Sequence, residues 1–158
     1  LQEEVGRLLR QRGQTLAVAE SCTGGLISNW ITDVAGSSDY FLFSGITYSN
    51  EAKVHILGVS PKTLETHGAV HEKTALAMAK GVKKAGGADW AVSTTGVAGP
   101  GGGTDEKPVG TVCIGVAGPG TELARRFHFT FGLRERNKRI FGATALNLLR
   151  RQILKSRV

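Results

Sequence analysis

The sequence predicts an α/β fold: a three-layer α/β/α sandwich around a mixed, mostly parallel sheet, with a C-terminal β-hairpin followed by a long helix. Two observations support this prediction. Short apolar runs alternate with segments whose apolar residues recur at helical spacing, which is typical of layered strands and helices. The last two strand-like segments are separated only by the turn at residues 118–120, which indicates an antiparallel hairpin and therefore a mixed sheet.

The first half of the chain contains two predicted strands separated by helices. Gly13 ends the first amphipathic helix, and Gly36 ends the second. Pro61 suits the first turn of a later helix. The predicted elements are a helix over residues 2–12, a strand over 15–19, a helix over 26–34, a strand over 40–49 and helices over 50–57 and from 60.

The second half of the chain contains an alanine-rich helix, a glycine-rich loop and a terminal hairpin. The last helix has Ala145, Leu146, Leu149 and Ile153 on one face, so this face is expected to be apolar. The predicted elements are a helix over residues 71–84, strands over 90–94, 109–116 and 123–131, and a helix over 134–154.

The chain of 158 residues is expected to form one domain, 1–158, because it is too short for two of ordinary size. It has no apolar run of the roughly 18 to 20 residues that a membrane helix needs. Cys22 and Cys113 match neither a disulfide framework nor a metal-binding pattern. We therefore expect a cytoplasmic protein without a metal. The chain begins at Leu1 rather than Met, which leaves open whether it belongs to a longer protein.

The formal net charge of +7 indicates anionic partners, although a solvated basic surface is the plainer interpretation. Nucleotides suit this charge. Nucleic acid is a weaker candidate, because the sequence has no basic segment interleaved with stacking aromatic residues. The apolar faces of the first and last helices offer a surface to a second copy, and we expect a homo-oligomer, a dimer.

The first candidate site follows the first strand, at Glu20-Ser21-Cys22-Thr23-Gly24-Gly25. Open α/β sheets bind ligands at this edge. The helix N-terminus that follows suits a phosphate, or an oxyanion formed when Ser21 attacks a substrate. Two alternatives remain: Ser21 or Thr23 only caps the helix, or Cys22 is the nucleophile.

Three later segments are further candidates. Lys53, with a lowered pKa, would serve as the base for a serine, and Tyr48 would relay or donate a proton; a surface lysine and a half-buried tyrosine are the alternative. The glycine-rich loop after Thr95 would bind an anion, form a mobile lid or simply be flexible. Arg134 opens a basic segment, which would bind phosphate or form a solvated face.

These segments together resemble the CinA C-terminal domain family, whose enzymatic members are nicotinamide-nucleotide amidohydrolases, also called NMN deamidases. The resemblance is carried by residues 19–25, 48–53, 95–103 and 106–112, in this order. It implies hydrolysis of the carboxamide of nicotinamide mononucleotide to nicotinate mononucleotide and ammonia, without a metal or cofactor. It also implies Ser21 as the nucleophile, Lys53 as its base and Tyr48 as a proton relay or orienting group.

The resemblance further implies a set of substrate-binding residues, with the phosphate expected at the glycine loop and the Arg134 segment. Leu133 departs from the acidic or small polar residue that often precedes the family arginine, so Arg136 and Arg139 are alternatives to Arg134. A non-catalytic nucleotide-binding module and a competence- or DNA-damage-associated protein are alternative functions. The substrate-binding residues are Glu20, Gly24, Gly25, Thr95, Gly96, Gly101, Gly102 and Arg134.

Overall fold

The computed structural model of the protein describes residues 1–156. Helices and strands alternate over the first four elements; three consecutive helices and then three consecutive strands follow, before the last helix. A 3-10 turn, Ser37–Asp39, precedes the second strand. The elements are α1 (Gln2–Arg12), β1 (Leu16–Glu20), α2 (Leu26–Thr32), β2 (Phe41–Ile46), α3 (Asn50–Leu57), α4 (Pro61–His67), α5 (Glu72–Gly86), β3 (Trp90–Gly96), β4 (Thr111–Gly118), β5 (Thr121–His128) and α6 (Arg134–Lys155).

The five strands form one sheet in the order β2-β1-β3-β4-β5. Strand β1 pairs in parallel with both β2 and β3, whereas β3–β4 and β4–β5 are antiparallel. Strand β5 therefore runs in the same direction as the first three. This topology confirms the predicted α/β fold with a mixed sheet, a C-terminal hairpin and a long final helix.

Each face of the sheet has its own apolar core. Val18 of β1 belongs to the core that includes residues of α1, α2 and α6, whereas Ala17 and Ala19 belong to the core that includes Met78 of α5. This alternation follows from the two-residue period of a strand. Because helices cover both faces, β1 is buried along its whole length, and its carboxyl end enters the site from a rigid position.

The apolar faces of α1 and α6 are occupied by the protein's own core. Val5 and Leu9 of α1, and Leu146 and Leu149 of α6, are fully buried in the same apolar cluster. The suggestion that these faces seat a second copy is therefore wrong, because folding already removes them from solvent. The predicted dimer itself stays a prediction.

Some strand boundaries differ from those predicted. Strand β2 ends at Ile46, and β4 begins at Thr111 rather than at residue 109. The later start of β4 has a clear cause: Gly110 has a φ of +92°, which breaks the extended backbone. No helix within residues 1–156 is both long and apolar enough to cross a membrane.

Candidate active site

A cleft of about 280 Å³ opens at the carboxyl edge of the sheet, where β1 and β3 end. Ser21 is tied to β3 there, because its amide donates to the carbonyl of Thr94 at 3.0 Å. Parallel neighbours end at the same edge of a sheet, so residues that follow different strands meet at this point. Of the predicted site residues, the cleft brings together Ser21, Tyr48, Lys53, Thr95, Gly96, Gly101, Gly102 and Arg134.

Ser21 and Lys53 are in direct contact inside this cleft. The Lys53 ammonium donates to Ser21 Oγ at 3.1 Å, to the carbonyl of Thr47 at 2.8 Å and to the carbonyl of Tyr48 at 3.1 Å. The two carbonyls can only accept, so they hold two of the amine's hydrogens. The remaining position on Nζ therefore faces Ser21, and in the neutral amine it is a lone pair.

Helix α3 positions Lys53. The Ser49 hydroxyl accepts from the amide of Ala52 at 3.0 Å, which caps the helix at its N-terminus. Lys53 lies one turn later and is only 1% exposed. This burial lowers the pKa of the Lys53 ammonium from its usual value of 10.5, because the charged form loses its hydration.

Arg134 and Tyr48 form the rim of the cleft. Arg134 donates to the carbonyl of Gly99 at 2.7 Å and to the Tyr48 hydroxyl at 3.1 Å. Tyr48 is 60% exposed, and its contact with Lys53 is through its backbone carbonyl, not through the hydroxyl. Of the two roles expected for Tyr48, this geometry favours orientation over proton relay.

Helix α6 fastens the first part of the glycine loop. Asn137 is fully buried and donates to the carbonyl of Ala98 at 3.0 Å, one residue before the Arg134 contact at Gly99. At the carboxyl end of β3, just before the loop, Thr95 donates to the carbonyl of Ala69 at 2.8 Å. The segment from Thr95 to Gly99, which forms the first part of the loop, is thus tied at three points.

Glu20 holds the N-terminus of α2. Its carboxylate is fully buried and accepts from the amides of Gly25, Ile27 and Ser28 at 2.9–3.2 Å. These are the amides that the sequence analysis expected to bind an oxyanion beside Ser21, so that expectation is wrong. Neither Ser21 nor Thr23 caps the helix; Gly25 occupies the N-cap position, with a φ of +97°.

The sequence matches a known protein family over nearly its whole length. A profile of the CinA C-terminal domain family matches residues 1–153. The chain belongs to this family. A CinA-like protein of Desulforapulum autotrophicum is 58% identical over 154 residues, which cover 98% of this chain and 36% of the relative. The chain therefore spans about a third of the length of curated relatives such as this one.

Solved CinA structures share the fold. The competence/damage inducible protein CihA of Agrobacterium tumefaciens superposes with a TM-score of 0.91 and 38% identity, covering 98% of this chain and 95% of that chain. The competence damage-inducible protein A of Klebsiella pneumoniae gives a TM-score of 0.94 and 34% identity, covering 99% and 96%. The CinA architecture thus extends over nearly the whole length described above.

Cys22 is a poor nucleophile in this CinA domain, although it lines the cleft. Burial raises the pKa of its thiol to about 12. The thiolate is the reactive form, so almost none is available near neutral pH. A Cβ at Gly96 would lie only 3.2 Å from the Cys22 sulfur and 2.5 Å from the carbonyl oxygen of Thr111. Any residue larger than glycine would therefore clash at position 96.

Three groups that shape the CinA cleft were missed by the sequence analysis. Ala69 and Val70 line it from the turn between α4 and α5, and Asn137 anchors the glycine loop. Nothing in the sequence marks the first two, because they approach the cleft only through tertiary packing. Asn137 is a fully buried polar side chain, and such side chains are nearly always hydrogen-bonded, so its burial in the structure points to its role.

Within residues 1–156, no three His, Cys, Asp or Glu side chains gather as a metal site.

Replacing Glu20 by glutamine is expected to lower the free energy of unfolding by about 2–3 kcal/mol, because the amide group turns two hydrogens toward groups that are themselves donors. Both carboxylate oxygens already accept, from Thr23 and Ser28 hydroxyls at 2.6 and 2.7 Å as well as from backbone amides. The melting temperature should fall by about 5–10 °C. The exposed Glu65→Gln is the matched control. Equal stability of both variants would contradict this role of Glu20.

Proposed function

We propose that this CinA domain is an amidase that hydrolyses the carboxamide of nicotinamide mononucleotide to nicotinate mononucleotide and ammonia. The observation that carries the proposal is the contact between a buried lysine and a serine, Lys53 and Ser21, inside a cleft. A serine and a neutral lysine form a complete nucleophile–base pair without histidine. The substrate comes from the family resemblance, and the basic rim of the cleft suits its negative charge.

In the first step, Ser21 Oγ attacks the carboxamide carbon while Lys53 Nζ accepts the hydroxyl proton. The carbonyl π electrons move to oxygen, which gives a tetrahedral oxyanion. Collapse of this intermediate breaks the C–N bond. The proton held by Lys53 goes to the departing nitrogen, which leaves as ammonia, and an acyl-serine remains.

In the second step, water attacks the acyl carbon while Lys53 again accepts a proton. Collapse of this second tetrahedral intermediate breaks the ester bond between the acyl carbon and Ser21 Oγ, Lys53 returns the proton to Oγ, and nicotinate mononucleotide is released. An amide is a weak electrophile, but the pyridinium ring of this substrate withdraws electrons from it. Among the described residues, the amides of Cys22, Gly101 and Gly102 donate to no backbone carbonyl. These amides are our candidates for stabilising the oxyanion, in place of the α2 terminus.

The direct test is to incubate the purified domain with nicotinamide mononucleotide and to measure ammonia and nicotinate mononucleotide together. Equal amounts of both products, formed in proportion to enzyme concentration, are expected. Chelator should leave the rate unchanged, since the proposed step uses no metal. If the substrate binds without turnover, the domain is the non-catalytic nucleotide-binding module instead, and the proposal fails. The cytoplasmic location and the dimer stay predictions.

Replacing Tyr48 by phenylalanine is expected to lower kcat/KM for nicotinamide mononucleotide by only about 2- to 10-fold, which is the loss of one hydrogen bond. The Tyr48 hydroxyl accepts from Arg134 at 3.1 Å, and removing it loosens the rim without touching the Ser21–Lys53 pair. Steady-state kinetics would measure this change mainly in KM. A fall in kcat of a thousandfold would instead mean that the hydroxyl relays a proton.

A further inference from the structure

The turn between α4 and α5 forms one wall of the candidate active-site cleft, because Ala69 and Val70 line it. Two side-chain hydrogen bonds hold this turn in place. Thr74 in the first turn of α5 donates to the carbonyl of Gly68 at 2.7 Å, and Thr95 donates to the carbonyl of Ala69 at 2.8 Å. The position of the cleft wall therefore depends on the first turn of α5.

A histidine caps α5 at this turn. His71 occupies the N-cap position, and its Nδ1 accepts from the amide of Lys73 at 3.0 Å. A ring nitrogen accepts a hydrogen bond only when it carries no proton, so this cap requires the neutral imidazole, with its hydrogen on Nε2. The usual capping side chains Ser, Thr and Asn keep their acceptor oxygen at every pH near neutrality. This helix instead has a cap that a proton removes.

The surroundings of His71 oppose a charge on its ring. The side chain is half-buried, and this burial is the main reason that its pKa lies below the usual 6.5, because the imidazolium would lose hydration. The positive end of the α5 dipole also disfavours a cation there. The titratable groups around His71 and its neighbour Glu72 come from several elements: His67 of α4, Lys107 of the glycine loop, Cys113 of β4 and Arg126 of β5.

These neighbours largely disfavour the imidazolium. The His67 ring is stacked on His71 with the centroids 4.4 Å apart, so a charge on one ring disfavours a charge on the other. Glu72 is the carboxylate beside His71, at 4.0 Å from Nδ1, but it is already paired with Arg126 at 3.1 Å. The neutral, capping form of His71 is therefore the form that the folded protein favours.

We propose that His71 is a pH-sensitive cap through which acid loosens one wall of the cleft. Protonation turns Nδ1 from an acceptor into a donor that faces the amide of Lys73, so the first turn of α5 loses its cap. Thr74 then loses its fixed position against Gly68, and the wall that contains Ala69 is released. This inference goes beyond the proposed function, because it concerns the fold and requires no substrate.

The stability of the domain should follow this proton. Above pH 6.5 the His71 ring is neutral in the folded and the unfolded chain, and the cap contributes fully. As the pH falls below 6.5, the unfolded chain takes up a proton that the folded protein excludes, so the free energy of unfolding falls. The loss levels off below the lowered pKa of the folded state, where both states carry the proton.

The test compares the melting temperatures of the wild type and His71→Asn from about pH 8 to about pH 5. Asparagine keeps an acceptor oxygen at the N-cap position but does not titrate. Relative to the variant, the wild type should lose about 2–4 °C as the pH falls below 6.5, the range for loss of one cap. The exposed His55→Asn is the matched control and should keep the wild-type pH dependence.

Hydrogen exchange over residues 68–74 tests whether the effect is local. At about pH 5 this segment should exchange about 5- to 10-fold faster in the wild type than in His71→Asn, relative to their ratio at about pH 8. A difference in melting temperature that stays constant with pH would overturn the inference, as would acid-enhanced exchange spread equally over all helices. Neither measurement uses a substrate, so failure of the proposed amidase activity leaves this result unaffected.

Discussion

Replacing Ser21 by alanine is expected to lower kcat for ammonia release from nicotinamide mononucleotide by at least about 1,000-fold, as removal of a nucleophile does in other covalent hydrolases. Ser21 is 8% exposed, and its hydroxyl lies 3.1 Å from the Lys53 amine. The other hydrogen-bond partners of this amine are backbone carbonyls, so among the described residues only the Ser21 hydroxyl contacts the proposed base. The neighbouring Cys22 cannot replace it, because its thiol pKa is raised to about 12.

The fold should survive this substitution. The Ser21 amide, which donates to the carbonyl of Thr94, is kept in alanine, and only the hydroxyl is lost. Far-UV circular dichroism and the melting temperature should therefore match the wild type, and the exposed Ser38→Ala serves as a matched control for activity. Ammonia release by Ser21→Ala within tenfold of the wild-type rate would remove Ser21 as the nucleophile.

Replacing Lys53 by methionine is expected to lower kcat by about 100- to 10,000-fold, the usual contribution of a general base. Methionine fills most of the same buried space but cannot accept a proton. Lys53→Arg should be equally inactive, because the guanidinium stays protonated. The exposed Lys62→Met should retain wild-type activity. Recovery of activity in Lys53→Arg would show that the position needs only a positive charge.

The pH profile of the wild type tests the same role. Burial lowers the pKa of Lys53 below 10.5, and the neutral amine is the active base. Activity should therefore rise with pH through this lowered pKa, with a midpoint below that of an exposed lysine. The residual activity of Lys53→Met should lack this ascending limb. An unchanged limb in the variant would assign it to another group.

Much of the fold was predictable because its elements carry local signals. Helix α6 begins at Arg134 as predicted, and its apolar face, with Leu146 and Leu149, is fully buried. The hairpin of β4 and β5 follows from a two-residue turn between extended segments. Boundaries were less predictable: the β4 start depends on a positive φ at Gly110, which the sequence alone does not reveal.

The candidate site was predictable in its members but less so in their arrangement. Ser21, Lys53 and Arg134 follow recognisable motifs, and the shared edge of the sheet brings them to one cleft. Their partners were not predictable. The α2 amides are taken by Glu20, and Asn137 anchors the glycine loop. Such contacts depend on where side chains point after folding.

The sequence by itself determined the family resemblance, the order of the elements and the nucleophile and base that we propose. Only the tertiary structure decided which groups face each other: Lys53 against Ser21, and Glu20 against the α2 terminus. The physical reason is that desolvation and hydrogen bonding depend on neighbours far apart in the chain. The lowered pKa of Lys53 arises from burial by surrounding segments, and no local pattern encodes it.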